Sequence, residues 1–325
     1  MRSMAGERTV GIQGRFTMKK TLIISGLIVL VLAVPYFVCG GEREVLDDAA
    51  RARHPGDYIR LSNGAVHYEL AGPADGKTVV LIHGGTYPSF CWDRNVRALA
   101  DAGFRVLRYD LYGRGLSDRP RVEYNTEPWD RQLKELIRKL NLKQPVNLVG
   151  LSVGGGIAAV FTARRPESVD RLCLIAPIGV PIRVPPSAKL ARWPLIGEYV
   201  MRIIGDKVIF SRFVKIFQNP DKYKSHQDRF KIQMQYRGFK TSVLSMLRHY
   251  PMNDLRDTFR RLAKRKQPML LLWGDADVSN PYKNNEEIRR LVPQMKFISV
   301  PGGAHAMQIE HAETINRHLV RFLSE

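Results

Sequence analysis

The stretch "VNLVGLSVGGG" (residues 146–156) sets Ser152 where an apolar, strand-like run gives way to a cluster of small residues. Two physical accounts compete for it. A tight turn needs glycines for their backbone freedom. A nucleophile needs a serine held out on a strained strand-to-helix elbow, with Gly150 and Gly154 leaving room for strand and helix to approach. G-x-S-x-G is too short a pattern to choose between them. The surrounding chain has to decide.

From residue 57 onward, extended and helical stretches alternate. "YIRL" (58–61) and "AVHYELA" (65–71), joined through Ser62-Asn63-Gly64, read as a hairpin. "TVVLIH" (78–83), "FRVLRYD" (104–110), "VNLVG" (146–150), "RLCLIAP" (171–177), "PMLLLWG" (268–274) and "KFISVPG" (296–302) are β-rich runs closed by turn residues. Helix-forming stretches lie between most of them: 91–103, 129–142, 152–166 and 284–293. Strands buried on both faces and alternating with helices predict an α/β domain with a mostly parallel, eight-stranded sheet flanked by helices. The alternation breaks between about 178 and 262, a basic, helix-forming interval that opens on "PIGVPIRVPPS" and reads as a helical insertion. The expected organisation is a tail over 1–41, a core over 42–177 and 263–325, and a helical cap over 178–262.

In an open parallel sheet, ligands sit at the carboxyl ends of the strands. Four chemically apt segments fall there: His83-Gly84-Gly85, Ser152, Asp275 with Asp277, and His305. Serine, acid and histidine in that chain order are the parts of a nucleophilic triad. His305 follows two glycines at a strand end, whereas His311 lies in a helical stretch, so His305 is the expected base. His83 is expected to stabilise its loop rather than react. Asp110, with Gly113 and Gly115, is expected to fix a turn through side-chain bonds to backbone.

The motifs "HGG" with Trp92 downstream, "DLYGRGLS" (110–117), "GLSVGG" (150–155), "WGDAD" (273–277) and "GGAH" (302–305) resemble those of the α/β-hydrolase fold family, specifically its capped serine hydrolases. The resemblance spans about residues 57–325, with the insertion where the family carries its cap. A serine at 152 argues against members whose nucleophile is aspartate, the haloalkane dehalogenases and epoxide hydrolases. The resemblance implies Ser152 as nucleophile, His305 as general base and Asp277 as its orienting acid, with Asp275 shaping the turn. It implies backbone N–H donors at Gly85 and Val153 for the oxyanion. No cofactor and no metal are expected, because a serine nucleophile with fixed donors supplies the chemistry. An esterase or lipase acting on apolar acyl esters is expected. The same triad could serve a carbon–carbon bond hydrolase, a cofactor-free haloperoxidase, an acyltransferase or a small-ligand receptor.

The chain has 325 residues, enough for one large core, and an unusually high net charge of +20. Such a balance directs attention to nucleic acid or anionic lipid. No nucleic-acid motif accompanies it, so no nucleic-acid partner is expected. Lys207, Arg212, Lys215, Lys222 and Lys224 read either as a solvated face of the cap or as a contact for anionic lipid. The aromatic and apolar stripe from Trp193 and Leu195 to Phe210, Phe213 and Phe217 reads as packing or as the lining of an acyl pocket. The three cysteines, Cys39, Cys91 and Cys173, make neither a disulfide framework nor a metal site. At the amino terminus, Lys19 and Lys20 precede an apolar run over 21–38 that ends before Gly41. That length suits a membrane anchor or a secretory signal, with a helix docked on the domain as the third reading. Basic residues before it and acidic ones after it predict a domain on the non-cytoplasmic side.

Overall fold

The computed structural model describes residues 33–181, 192–251 and 254–325, together with Ile24, Ser25, Leu27, Leu30 and Val31. Eight strands form one sheet: β1 (Asp57–Leu61), β2 (Gly64–Ala71), β3 (Thr78–Ile82), β4 (Arg105–Tyr109), β5 (Val146–Leu151), β6 (Val169–Ile175), β7 (Met269–Gly274) and β8 (Lys296–Val300). Their spatial order is β1-β2-β4-β3-β5-β6-β7-β8. β2 runs antiparallel to both of its neighbours, and all the other pairs are parallel. The sheet is mixed and mostly parallel, as the alternation of runs predicts.

Helices cover both faces: α1 (Asp48–Arg51), α2 (Asp93–Asp101), α3 (Thr126–Lys139), α4 (Val153–Arg164), α5 (Ile196–Val214), α6 (Lys224–Gln235), α7 (Phe239–His249), α8 (Arg256–Leu262), α9 (Asn284–Leu291), α10 (Met307–Glu310) and α11 (Ala312–Ser324). Successive strand residues point to opposite faces, so each central strand feeds two cores. Val80 and Ile82 join one with Trp129, Leu133 and Ile157, whereas Val79 and Leu81 join another with Leu99 and Phe322. Each such side chain, once buried, contributes about 2 kcal/mol of transfer free energy. Helix α4 is buried from Val153 to Ala163, because it lies between the sheet and helices α3 and α8. A helix enclosed on every side has to be apolar all round, and this one is.

Between β6 and β7 the chain leaves the sheet and forms α5, α6 and α7; α8 then packs against α4 and α9. The aromatic stripe divides. Phe213 and Phe217 are buried and meet the Tyr87 ring at 5.0 and 5.9 Å, and Phe213 stacks on Phe230 at 3.9 Å. Trp193 and Leu195 are exposed. Packing therefore accounts for the inner part of the stripe. Lys207, Arg212, Lys215, Lys222 and Lys224 are all exposed. Residues 182–187 of the proline-rich stretch, and 188–191 after it, lie outside the described residues.

The expectation of a membrane-anchored or secreted domain is overturned. Among the described residues no helix is long and apolar enough to cross a membrane. Residues 21–23, 26, 28, 29 and 32 of the apolar run, and the basic residues before it, lie outside the described residues. From Tyr36 to Glu44 the chain is bonded to the insertion. The Tyr36 ring stacks on Tyr199, and Arg202 Nε donates to the Tyr36 carbonyl at 2.5 Å. Gly41 N donates to Asp206 at 3.1 Å, and Glu44 pairs with Tyr236 in a short parallel bridge. Hydropathy counts apolar length alone.

Candidate active site

Ser152 sits between β5 and α4, at the N-cap of the helix. Its backbone has φ 54° and ψ −114°, a sparsely populated region that tertiary contacts must enforce. Three backbone bonds do so: Ser152 N donates to Ile175 O at 2.9 Å, and Ser152 O accepts from Gly156 N and Ile178 N, both at 3.1 Å. The flanking glycines are required by close approach. A Cβ at Gly154 would lie 2.3 Å from Ile82 O, and one at Gly150 would lie 2.4 Å from Gly154 O. The Ser152 side chain makes no hydrogen bond to a described residue. The N–H of Val153, at the first position of α4, lies at the positive end of that helix's dipole.

The loop after β7 carries the acid and the loop after β8 the histidine. Asp277 Oδ2 accepts from His305 Nδ1 at 2.6 Å, and Asp277 Oδ1 accepts from Ser279 N and Asn280 N, both at 2.8 Å. Burial opposes the charged form of His305, but the facing Asp277 carboxylate outweighs it and raises the imidazole pKa above its usual value. With Nδ1–H committed to Asp277, the neutral ring presents a lone pair on Nε2, which no described residue occupies. Asp275 does something else: its Oδ1 accepts from Gly302 N at 2.7 Å and shapes the turn ahead of His305. His311 bonds Gly302 O at 3.2 Å and occupies the N-cap position of α11.

Gly84 and Gly85 lie against this elbow. A Cβ at Gly84 would be 3.6 Å from Ser152 Cβ, and one at Gly85 would be 2.9 Å from Val153 Cγ2. The structure therefore brings Gly85 and Val153 together beside Ser152. Met246 of α7 covers the same spot, with Sδ and Cε 3.4 Å from the Gly85 Cβ position. His83 is fully buried and braces the loop: Nδ1 donates to Gly84 O at 2.7 Å, and Nε2 accepts from Leu111 N at 2.9 Å. Burial pushes its pKa down to about 4, which keeps the ring neutral in this role.

A second buried histidine–carboxylate pair stands nearby. His67 Nδ1 donates to Asp110 Oδ2 at 2.9 Å and its Nε2 donates to Pro55 O at 3.0 Å. Burial opposes both charges, yet each holds the other: His67 is raised and Asp110 lowered. Asp110 also accepts from Ser89 N at 2.8 Å and Leu116 N at 2.9 Å, which makes it the expected turn-fixing residue. Both ring nitrogens of His67 are consumed, so it has no site left for a substrate proton. Sequence reasoning missed His67, whose only signal is a polar residue at an inward position of β2.

It also missed Asn280. The Asn280 amide donates to Ala176 O at 3.0 Å and Pro177 O at 2.9 Å, tying the acid's loop to the end of β6. Ile178 N, two residues on, is bonded to Ser152 O. Asn280 thus links the two halves of the site, and nothing in "DVSNP" distinguishes it from an ordinary turn asparagine.

Comparison with known proteins agrees with this geometry at the level of fold and family. The sequence profile of the alpha/beta hydrolase family matches residues 79–318. A putative non-heme chloroperoxidase of Synechocystis sp. is 29% identical over 266 residues, covering 79% of this chain and 94% of that protein. Carboxylesterase YbfK of Bacillus subtilis is 24% identical over 273 residues, covering 82% of this chain and 86% of that one. The crystal structure of the enol-lactonase from Burkholderia xenovorans LB400 superposes with a TM-score of 0.67 at 24% identity, over 83% of this chain and 100% of that one, and shows a shared fold.

Proposed function

This chain belongs to the alpha/beta hydrolase family, and we propose that within it the protein is a serine hydrolase that cleaves carboxylic esters of apolar acyl chains. The observation that carries the proposal is the strained backbone at Ser152, φ 54° at the start of α4. A turn serine has no need of strain that two flanking glycines and three backbone bonds must hold in place. In the reaction, Ser152 Oγ attacks the ester carbonyl carbon while His305 Nε2 takes the hydroxyl proton. The tetrahedral oxyanion accepts hydrogen bonds from the Gly85 and Val153 N–H groups, each worth about 3 kcal/mol of barrier. Collapse expels the alcohol, which leaves with the proton from His305, and the acyl group stays on Ser152. Water, activated by the same nitrogen, then releases the acid. Asp277 holds His305 in the tautomer that this requires and stabilises the imidazolium. Met246 and Val153 give the loop an apolar wall, which suits an apolar acyl group.

A second reading, peroxide-dependent halogenation by the same three side chains, is favoured by the similarity to the putative chloroperoxidase. The test is a panel of p-nitrophenyl esters of increasing chain length, beside halide-dependent oxidation in hydrogen peroxide, with Ser152→Ala as control. Ester turnover that vanishes in Ser152→Ala supports the proposal. Absence of turnover on every ester overturns it.

A further inference from the structure

Arg114, in the "DLYGRGLS" segment, is wholly buried, yet no carboxylate among the described residues lies within ion-pairing distance of it. An isolated buried charge is costly, and such a cost persists where the surrounding groups need it. Its donors go to neutral acceptors. Arg114 Nε donates to Gly85 O; Nη1 donates to Gly113 O at 2.8 Å and Ser242 Oγ at 2.6 Å; Nη2 reaches Met246 Sδ at 3.3 Å. The rings of Tyr124 and Trp129 face the guanidinium carbon at 6.0 and 5.9 Å. Burial lowers its pKa to about 9, so the group remains charged at neutral pH.

The next carbonyl along the same loop is also held. Gln233 of α6 is buried; its Nε2 donates to Thr86 O at 2.9 Å and its Oε1 accepts from Gly115 N at 2.9 Å. Two consecutive carbonyls, Gly85 O and Thr86 O, are thus fixed by side chains that reach in from the 110–117 loop and from the insertion. Ser242 and Met246 belong to α7, so the same contacts tie this loop to the third insertion helix.

We infer that Arg114 and Gln233 are positioning residues that clamp the Gly85–Thr86 carbonyls, aim the Gly85 N–H at the substrate oxyanion and make its placement depend on how α6 and α7 sit. This rests on Gly85 being an oxyanion donor, as proposed above. The peptide planes on either side of Gly85 share its Cα. Fixing the two carbonyls that follow therefore restricts the N–H that precedes them. The guanidinium adds a fixed positive charge behind the loop toward which negative charge develops, in a medium that screens it poorly.

Arg114→Lys keeps the charge but has no Nε donor. Gln233→Met keeps the volume but has neither amide atom. Steady-state hydrolysis of p-nitrophenyl butyrate and of the corresponding thionoester tests both variants against the wild type, with thermal melts to establish folding. In each folded variant, kcat on the oxygen ester should fall about tenfold or more with KM within about twofold, because small misplacement of a donor is expensive in rate. The ratio of oxygen-ester to thionoester rates should fall too, since sulfur accepts hydrogen bonds weakly and gains little from an aimed donor. Wild-type kcat in both variants would overturn the inference, and so would a loss of kcat with that ratio unchanged, the mark of a merely structural role. If Arg114→Lys does not fold, Gln233→Met decides alone. No ester turnover by the wild-type protein would overturn the serine-hydrolase proposal itself, and this inference with it.

Discussion

His305 Nδ1 lies 2.6 Å from Asp277 Oδ2, and the other nitrogen of the ring is left without a hydrogen bond to any described residue. His67 and Asp110 repeat the same pairing at 2.9 Å, but there Pro55 O takes the second nitrogen. Two histidine–carboxylate pairs of similar burial are therefore separated by one backbone carbonyl. One can pass a proton to a neighbour; the other can only hold chain segments together.

Ser152→Ala should abolish ester hydrolysis, lowering kcat by at least about 10³-fold, while the melting temperature stays within a few degrees of wild type. Alanine tolerates the backbone of Ser152 no better and no worse than serine, and the Oγ makes no bond that folding would lose. Ester assays paired with thermal melts check this, and full activity in a folded Ser152→Ala protein would remove the proposed nucleophile.

Asp277→Asn should lower kcat by about 10⁴-fold, because an amide in that position supports the wrong imidazole tautomer. Asp275→Asn should cost less than about tenfold, since its carboxylate only receives Gly302 N at the turn. Parallel kinetics on the two variants rank them, and the reverse order would reassign the acid.

The pH profile of kcat/KM should rise through an inflection above the ordinary histidine range of about 6.5, because the base must be neutral and Asp277 raises the pKa of His305. Asp277→Asn removes the group that opposes burial, so the inflection should move down. An inflection unmoved by that substitution would mean that a different group titrates.

The His67–Asp110 pair sets a stability window. His67 is raised in the folded state, so its contribution is full below its unfolded value and is lost as pH rises through the folded one. Asp110 is lowered, so its contribution is present above its unfolded value and is lost as pH falls through the folded one. The pair's contribution should therefore be greatest between about pH 4 and 6.5. His67→Ala, which leaves a buried carboxylate unpaired, should cost about 3–5 kcal/mol there. Denaturant melts of both proteins across pH measure this, and a difference that does not vary with pH would contradict it.

Gly154→Ala should destabilise the fold by about 3 kcal/mol or more, because the new Cβ would meet Ile82 O and His83 O, backbone atoms that cannot swing aside. Denaturation of the variant tests it, and a near-native midpoint would show that β3 and α4 are free to separate.

How much of this was legible depended on whether the signal was local. The strands announced themselves, because a run such as "TVVLIH" is apolar at every position and must be buried on both faces. Ser152, Asp277 and His305 were legible as candidates because each follows a strand end with a glycine within three positions, where the backbone has to turn sharply. Asp277 could be ranked above Asp275 only through the resemblance; contact distances separate them directly. The amino-terminal run was misjudged as an anchor or secretory signal, since hydropathy reports apolar length alone.

Sequence alone determined the alternation of strand and helix, the glycines at the elbow and the chain order of serine, acid and base, all of which follow from residue types a few positions apart. Tertiary structure decided which histidine keeps a free nitrogen, that Asn280 joins the acid's loop to the end of β6, and that Arg114 and Gln233 grip the loop after β3. Those contacts join residues up to 147 positions apart, as between Gln233 and Thr86. A hydrogen bond across that distance depends on how the sheet and the insertion pack, and no local pattern of residues encodes its partner.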